Sequence, residues 1–266
     1  MNKAIFLSLS AAAILALAAC YTNPVTGRQS LVLVAPSEEI ALGAQSFQQI
    51  RAEEKVSNDS KANERVRRVG QRIASVIGDQ MPGAQWEFVV FESKEANAFA
   101  LPGGKVGVYT GLLGLATSDD ELAAVMGHEI AHVIARHGAE RMSEEMVIQG
   151  IAAVGTAYAQ GRYSPEDVQM AQMAYGAGTT VGRVLPHSRS NESEADHMGV
   201  IFAAKAGYDP QAAITFWEKM AQQKTGSTGV LEKFLSTHPA NEQRIADLRA
   251  MMPEVMPTYQ ANRGRF

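Results

Sequence analysis

The chain has 266 residues, a formal net charge of −4 and a single cysteine, Cys20. No basic block and no stripe of aromatics among cations appears, so nucleic-acid binding finds no support. One cysteine excludes an intrachain disulfide and a thiolate metal cage. Stability must come from a packed core, and a metal here must be held by His and carboxylates.

The first 19 residues read as a leader. Lys3 is its only charge, and the stretch from Ala4 to Ala19 is apolar apart from two serines. It is too short and wrongly flanked for a good membrane-spanning helix. Leu17-Ala18-Ala19-Cys20 resembles the lipobox of bacterial lipoproteins, in which the cysteine becomes the first mature residue and carries the lipid. Tyr21 follows it in place of the aspartate usual for inner-membrane retention, which implies release to the outer membrane of a Gram-negative cell. Residues 20–35 are expected to form a lipid-anchored tether, 36–252 a single domain and 253–266 a C-terminal tail.

Within the tether, Tyr21 to Gln29 reads as turn and Leu31-Val32-Leu33-Val34 as a short strand. Pro36-Ser37-Glu38-Glu39 opens a helix with Ser37 as its cap and acids in its first turn. A helix over Asp59 to Ile77 places Val66, Val69, Ile73, Val76 and Ile77 on one face, and Gly78 can end it. Trp86 to Phe91 is the clearest strand. Asn97 to Leu101 and Lys105 to Thr110 read as a hairpin around Pro102-Gly103-Gly104. Ser118-Asp119-Asp120-Glu121 resembles a capping box and launches a helix through the Ala-rich run to His137. Everything after it reads as helix, with Gly207 closing one helix and Asp209-Pro210 opening the next. Helices, a small sheet, then helices give an α+β class that is mostly α.

The segment 143–188, with Met170, Met173 and Tyr175 in a Gly-rich stretch ending at Pro186, fits core, a lid or a membrane contact. Core packing is the default.

The chemistry concentrates in His128-Glu129-Ile130-Ala131-His132. On a helix the imidazoles at i and i+4 share a face and can reach one metal ion, with the Glu129 carboxylate beside them. A catalytic zinc usually has three protein ligands and an open position. Downstream, Glu192 and Asp196 are also i and i+4. Glu192 could bind the metal, and Asp196 could accept a hydrogen bond from the free ring nitrogen of a ligand histidine. Glu194 is the rival carboxylate but points away on a helix. His137, His187 (in an expected loop) and His197 are assigned to no metal.

These residues, with Asn23-Pro-Val-Thr-Gly-Arg28, Asn97-Ala-Phe-Ala-Leu-Pro-Gly-Gly104 and Ser236-Thr-His-Pro239, resemble the zinc metallopeptidase family of the CAAX prenyl protease and HtpX. The likeness is to its periplasmic lipoprotein branch, and it spans nearly all of the chain after Cys20. The resemblance implies a zincin-like domain of gluzincin type with a small mixed or antiparallel sheet and an active-site helix. It implies one zinc per chain held by His128, His132 and Glu192, with Glu129 as catalytic base.

The tetrahedral oxyanion of peptide hydrolysis needs a donor, for which His238 and Arg244 are the candidates. His238 is otherwise a cap or loop residue, or a fourth ligand that holds the site latent. Arg244 is otherwise an ion-pair partner or a solvated helix residue. An extended peptide could add to the edge strand at Asn97, Ala98, Phe99 and Ala100. The expected function is a zinc endopeptidase acting on unfolded or misassembled outer-membrane proteins. The alternatives are a chaperone or assembly factor with a latent protease site, and a zinc hydrolase such as a cell-wall amidase.

Overall fold

The computed structural model describes residues 20–159, 185–223, 229 and 231–265. The expected leader, and Met170, Met173 and Tyr175 of the intermotif segment, lie outside these residues.

One compact group joins the N-terminal segment to the helix α5 (His137–Ala159). Strands β1 (Cys20–Thr22) and β2 (Gln29–Leu31) pair antiparallel, so the expected turn region is a small hairpin and the strand ends at Leu31 instead of Val34. Asn23 closes the turn by accepting the Val25 N–H on Oδ1 at 2.9 Å. The segment is fastened to α5. Arg28 makes two bonds of 2.8 and 2.7 Å to Glu140, and Ser143 Oγ accepts the Leu33 N–H at 2.8 Å. Arg136, at φ 59°, donates to the Val34 carbonyl and lies over the Tyr21 ring. Cys20 is exposed.

The second group carries the sheet. Helix α1 (Pro36–Glu53) begins one residue before the expected cap, with Pro36 first, where a missing N–H costs nothing. Helix α2 (Ser60–Ile77) is capped by Asp59, whose carboxylate accepts the N–H groups of Lys61 and Ala62. It buries Val66, Val69, Ile73 and Ile77, and Gly78 leaves it at φ 59° for a turn of 3-10 helix. Strands β3 (Glu87–Phe91), β4 (Ala98–Leu101) and β5 (Lys105–Tyr109) form a sheet of order β3-β5-β4. β3 runs parallel to β5, and β4 pairs antiparallel with it. The β4–β5 turn needs two left-handed residues, and Gly103 and Gly104 supply them at φ 85° and 83°. Phe47 of α1 packs with Val89, Phe91 and Tyr109. Full burial of each phenylalanine contributes roughly 1.5–3 kcal/mol.

After a short helix α3 (Thr110–Leu113), α4 (Asp119–Ile134) starts at Ser118 with both bonds of the capping box present. Of its 16 residues, 12 are buried, which explains why it is apolar all round instead of striped. It lies against α2, β4 and α7 (Gln211–Gln223). α4 stops at Ile134, short of His137, so His137 begins a new helix. Helix α6 (Leu185–Lys205) includes His187, which is therefore helical and not in a loop. Pro186 is tolerated in its first turn, where N–H groups have no intrahelical partner. Gly207 turns at φ 76°, and Asp209 Oδ1 accepts the Gln211 N–H at 2.9 Å to open α7. Helices α8 (Glu232–Thr237) and α9 (Glu242–Asn262) follow, and α9 continues through Pro253 and Pro257 past the expected boundary at 252. Among the described residues no helix is long and apolar enough to cross a membrane.

Candidate metal centre

Two helices touch backbone to backbone where the site forms. A Cβ on Gly127 of α4 would lie 2.9 Å from the Gly199 carbonyl oxygen of α6, and one on Gly199 would lie 2.9 Å from the His128 nitrogen. Only glycines at both positions allow that approach. It sets the His128–His132 face of α4 against the Glu192–Asp196 face of α6.

His128, His132, Glu192 and His238 each direct a ligand atom into one space, all within 4.8 Å of one another. His128 Nε2 lies 3.1 Å from His132 Nε2, 3.2 Å from His238 Nδ1 and 3.3 Å from Glu192 Oε2. Glu192 Oε1 is 3.1 Å from His132 Nε2, and its Oε2 is 3.0 Å from His238 Nδ1. A tetrahedral zinc with bonds of about 2.0–2.1 Å separates its ligand atoms by about 3.3–3.4 Å. The observed spacings of 3.0–3.3 Å are close to that. One His128 nitrogen cannot donate to three acceptors, so a cation satisfies this arrangement of lone pairs better than hydrogen bonds do. The charge also balances. Glu129, Glu192 and Asp196 are buried acids, and Arg244 with a divalent ion offsets all three.

Asp196 lies behind the first histidine, its Oδ1 3.0 Å from His128 Nδ1. Arg244 grips Asp196 with two bonds, Nε to Oδ2 at 2.6 Å and Nη2 to Oδ1 at 2.7 Å. Its Nη1 is 3.1 Å from Glu192 Oε2. The guanidinium rests 3.5 Å over the Trp217 ring. Asn241 caps α9 by accepting the Arg244 N–H at 2.8 Å, which fixes where that side chain starts. Glu129 is buried, and its Oε1 makes no hydrogen bond although His238 Nε2 is 3.3 Å away. An orphaned carboxylate oxygen beside a ligand cluster suits a group that takes a proton from water.

Burial opposes a charged His128 imidazole, but Glu192 and Asp196 outweigh it and the ring is pushed up to about 9. Burial also opposes ionisation of Glu192 and Asp196. The histidines around Glu192, and Arg244 with His128 around Asp196, nonetheless hold both carboxyls below their usual range. Burial pushes the Glu129 carboxyl up.

Thus the structure brings His128, Glu129, His132, Glu192, Asp196, His238 and Arg244 together. Glu194, His137 and His197 are outside the converging group. Asn97 immediately precedes β4, and Ala98, Phe99 and Ala100 lie in it. Among the described residues β4 pairs only with β5 and so ends the sheet. Trp217, Gly127 and Gly199 went unread in the sequence. Their roles depend on contacts between helices distant along the chain, and only the isolated glycines inside helical patterns gave a hint.

A buried His-Glu-x-x-His helix facing a glutamate from a second helix, on a mostly helical α+β scaffold, defines a zincin-like metallopeptidase domain. A sequence profile of Peptidase family M48 matches residues 60–252, and the chain belongs to that family of zinc metallopeptidases. It is 36% identical to mitochondrial metalloendopeptidase OMA1 of Schizosaccharomyces pombe, over 71% of this chain and 52% of that protein. It is 30% identical to the beta-barrel assembly-enhancing protease of Escherichia coli strain K12, over 89% of this chain and 48% of that protein. It is 31% identical to the mitochondrial metalloendopeptidase OMA1 of Bos taurus, over 95% of this chain and 50% of that protein. The chain spans about half the length of the curated relatives it matches.

Proposed function

We propose that this protein is a zinc-dependent endopeptidase that cuts unfolded or misassembled envelope proteins at the periplasmic face of the outer membrane. The observation that carries this reading is the cluster of three imidazole nitrogens and one carboxylate beside the buried, unbonded oxygen of Glu129. The names of the relatives, both endopeptidase and beta-barrel assembly-enhancing protease, support peptide hydrolysis and a link to β-barrel proteins. Lipidation of an exposed Cys20 after removal of residues 1–19 would supply the anchor, in a periplasmic lipoprotein branch of the family beside the CAAX prenyl protease and HtpX.

His128, His132 and Glu192 would hold the zinc. Bound there, zinc polarises a scissile carbonyl and makes a water acidic enough to attack at neutral pH. Glu129 takes the attacking water's proton at Oε1 and returns it to the leaving nitrogen. Asp196 fixes the tautomer and orientation of His128, and Arg244 fixes Asp196. With Nε and Nη2 on Asp196 and Nη1 on Glu192, Arg244 acts as a positioning residue, which leaves the oxyanion donor role to His238. An extended substrate would add to the edge of β4 along Asn97 to Ala100 through main-chain hydrogen bonds, a mode that reads little sequence.

The place of His238 Nδ1 among the ligand atoms favours a second role, that of fourth ligand. In that arrangement the site is latent, and the protein assists outer-membrane assembly as a chaperone until His238 withdraws.

Digestion of unfolded casein by the full chain, with and without chelator and with zinc analysis, tests this function. One zinc per chain and chelator-sensitive cleavage are expected. Zinc loading without cleavage of any polypeptide, by wild type and by His238→Ala alike, would turn the assignment towards a non-peptide hydrolase.

A further inference from the structure

Beyond the metal ligands, an aromatic stack joins the two ends of the site. Arg244, which holds Asp196 against His128, lies 3.5 Å over the Trp217 indole. Phe234 of α8 stacks on the same indole, with centroids 5.7 Å apart and planes at 12°. His238 packs against Phe234 at 5.0 Å. The His238 N–H donates to the Phe234 carbonyl at 2.8 Å, so His238 caps the last turn of the six-residue helix that carries Phe234. Trp217 and Phe234 are buried at 4% and 0% exposure. His238 thus cannot leave the ligand cluster by a rigid shift of α8 and its capping residue without sliding Phe234 off Trp217, and Trp217 is what Arg244 rests on.

We propose that Trp217 and Phe234 are positioning residues: their stack latches His238 at the metal centre, and Trp217 also supports the grip of Arg244 on Asp196. The proposal rests on the fourth-ligand role of His238. It gives Phe234 an effect that runs only through His238, and Trp217 an effect that runs through Arg244 as well.

The test is the rate at which the zinc-loaded full chain gives up its metal to a chromogenic chelator. His238→Ala should speed release about tenfold, and Phe234→Leu should do nearly the same, the scale seen for residues that orient metal ligands. The double variant should be no faster than His238→Ala alone. Trp217→Leu should speed release in both the wild-type and His238→Ala backgrounds, whereas Trp217→Phe, which keeps a ring under Arg244, should stay near wild type. A Phe234→Leu effect of equal size with and without His238 would reduce Phe234 to ordinary packing and overturn the latch. So would equal rates for Trp217→Leu and Trp217→Phe. Failure of the fourth-ligand role appears differently, as a His238→Ala chain that releases zinc at the wild-type rate. If Phe234→Leu does not fold, Phe234→Met is read by the same comparison.

Discussion

His128 Nδ1 lies 3.0 Å from Asp196 Oδ1, so the ring's other nitrogen is the one turned to the ligand cluster. Asp196 is itself held by two bonds from Arg244. Removing Asp196 frees the ring to rotate and strips the buried guanidinium of its two-bond partner. Asp196→Ala should lower zinc affinity about 10–100-fold, measured by chelator competition on a chain whose circular dichroism is unchanged. Unaltered affinity would mean that the Arg244–Asp196–His128 chain does not orient the metal ligand.

The two nearby glutamates separate cleanly. Glu192 contacts three histidines, whereas Glu194 is outside the cluster. Glu192→Gln should lose most bound zinc after gel filtration, and Glu194→Gln should keep it. Metal content by atomic emission reads both, and the reverse pattern would reassign the third ligand.

The Gly127–Gly199 crossing sets the distance between the ligand-bearing faces. Gly199→Ala places a methyl 2.9 Å from the backbone nitrogen of His128, and backbone cannot yield as a flexible side chain can. The cost should be about 1–3 kcal/mol of stability, with weaker zinc binding. Gly150, within α5 and with nothing within 4 Å of an added Cβ, is the control. There alanine should stabilise by about 0.4–1 kcal/mol. Urea midpoints of the metal-free chains measure both, and equal shifts would contradict a close crossing.

Asp119 receives bonds from Arg65 at 2.9 Å and Arg68 at 2.7 Å, joining α4 to α2. Its partial burial opposes ionisation, but the two arginines hold its carboxyl below the usual value. The folded-state pKa is therefore below the unfolded one, near 3.9. The stabilisation is present above that unfolded value and is lost as pH falls through the folded one. Asp119→Asn should be less stable than wild type at pH 6, with the gap closing towards pH 3 in denaturation midpoints. A gap that does not change with pH would mean the charge is not the source.

Much of the site was legible because its chemistry is local. His128 and His132, and likewise Glu192 and Asp196, are one helical turn apart, and period alone places each pair on one face. Ser118, Asp59 and the Pro102-Gly103-Gly104 turn were legible because caps and left-handed turns depend on neighbouring residues. What was hidden depended on distant partners. The α4 helix was read through to His137 because nothing local marks Arg136, whose left-handed backbone goes with contacts to Val34 and Tyr21. The tether concealed a hairpin for the same reason, since Arg28 and Glu140 are far apart in sequence. Trp217 carries no sign of Arg244 or Phe234 in its own neighbourhood.

The most direct test is casein cleavage by zinc-loaded wild-type and His238→Ala chains, each with and without Glu129→Gln. The expected result is chelator-sensitive cleavage by wild type if His238 serves as oxyanion donor, or by the His238→Ala chain if His238 holds the site latent, abolished in either by Glu129→Gln while one zinc per chain stays bound. Cleavage that survives Glu129→Gln, or none from either zinc-loaded parent, would contradict an endopeptidase working through Glu129.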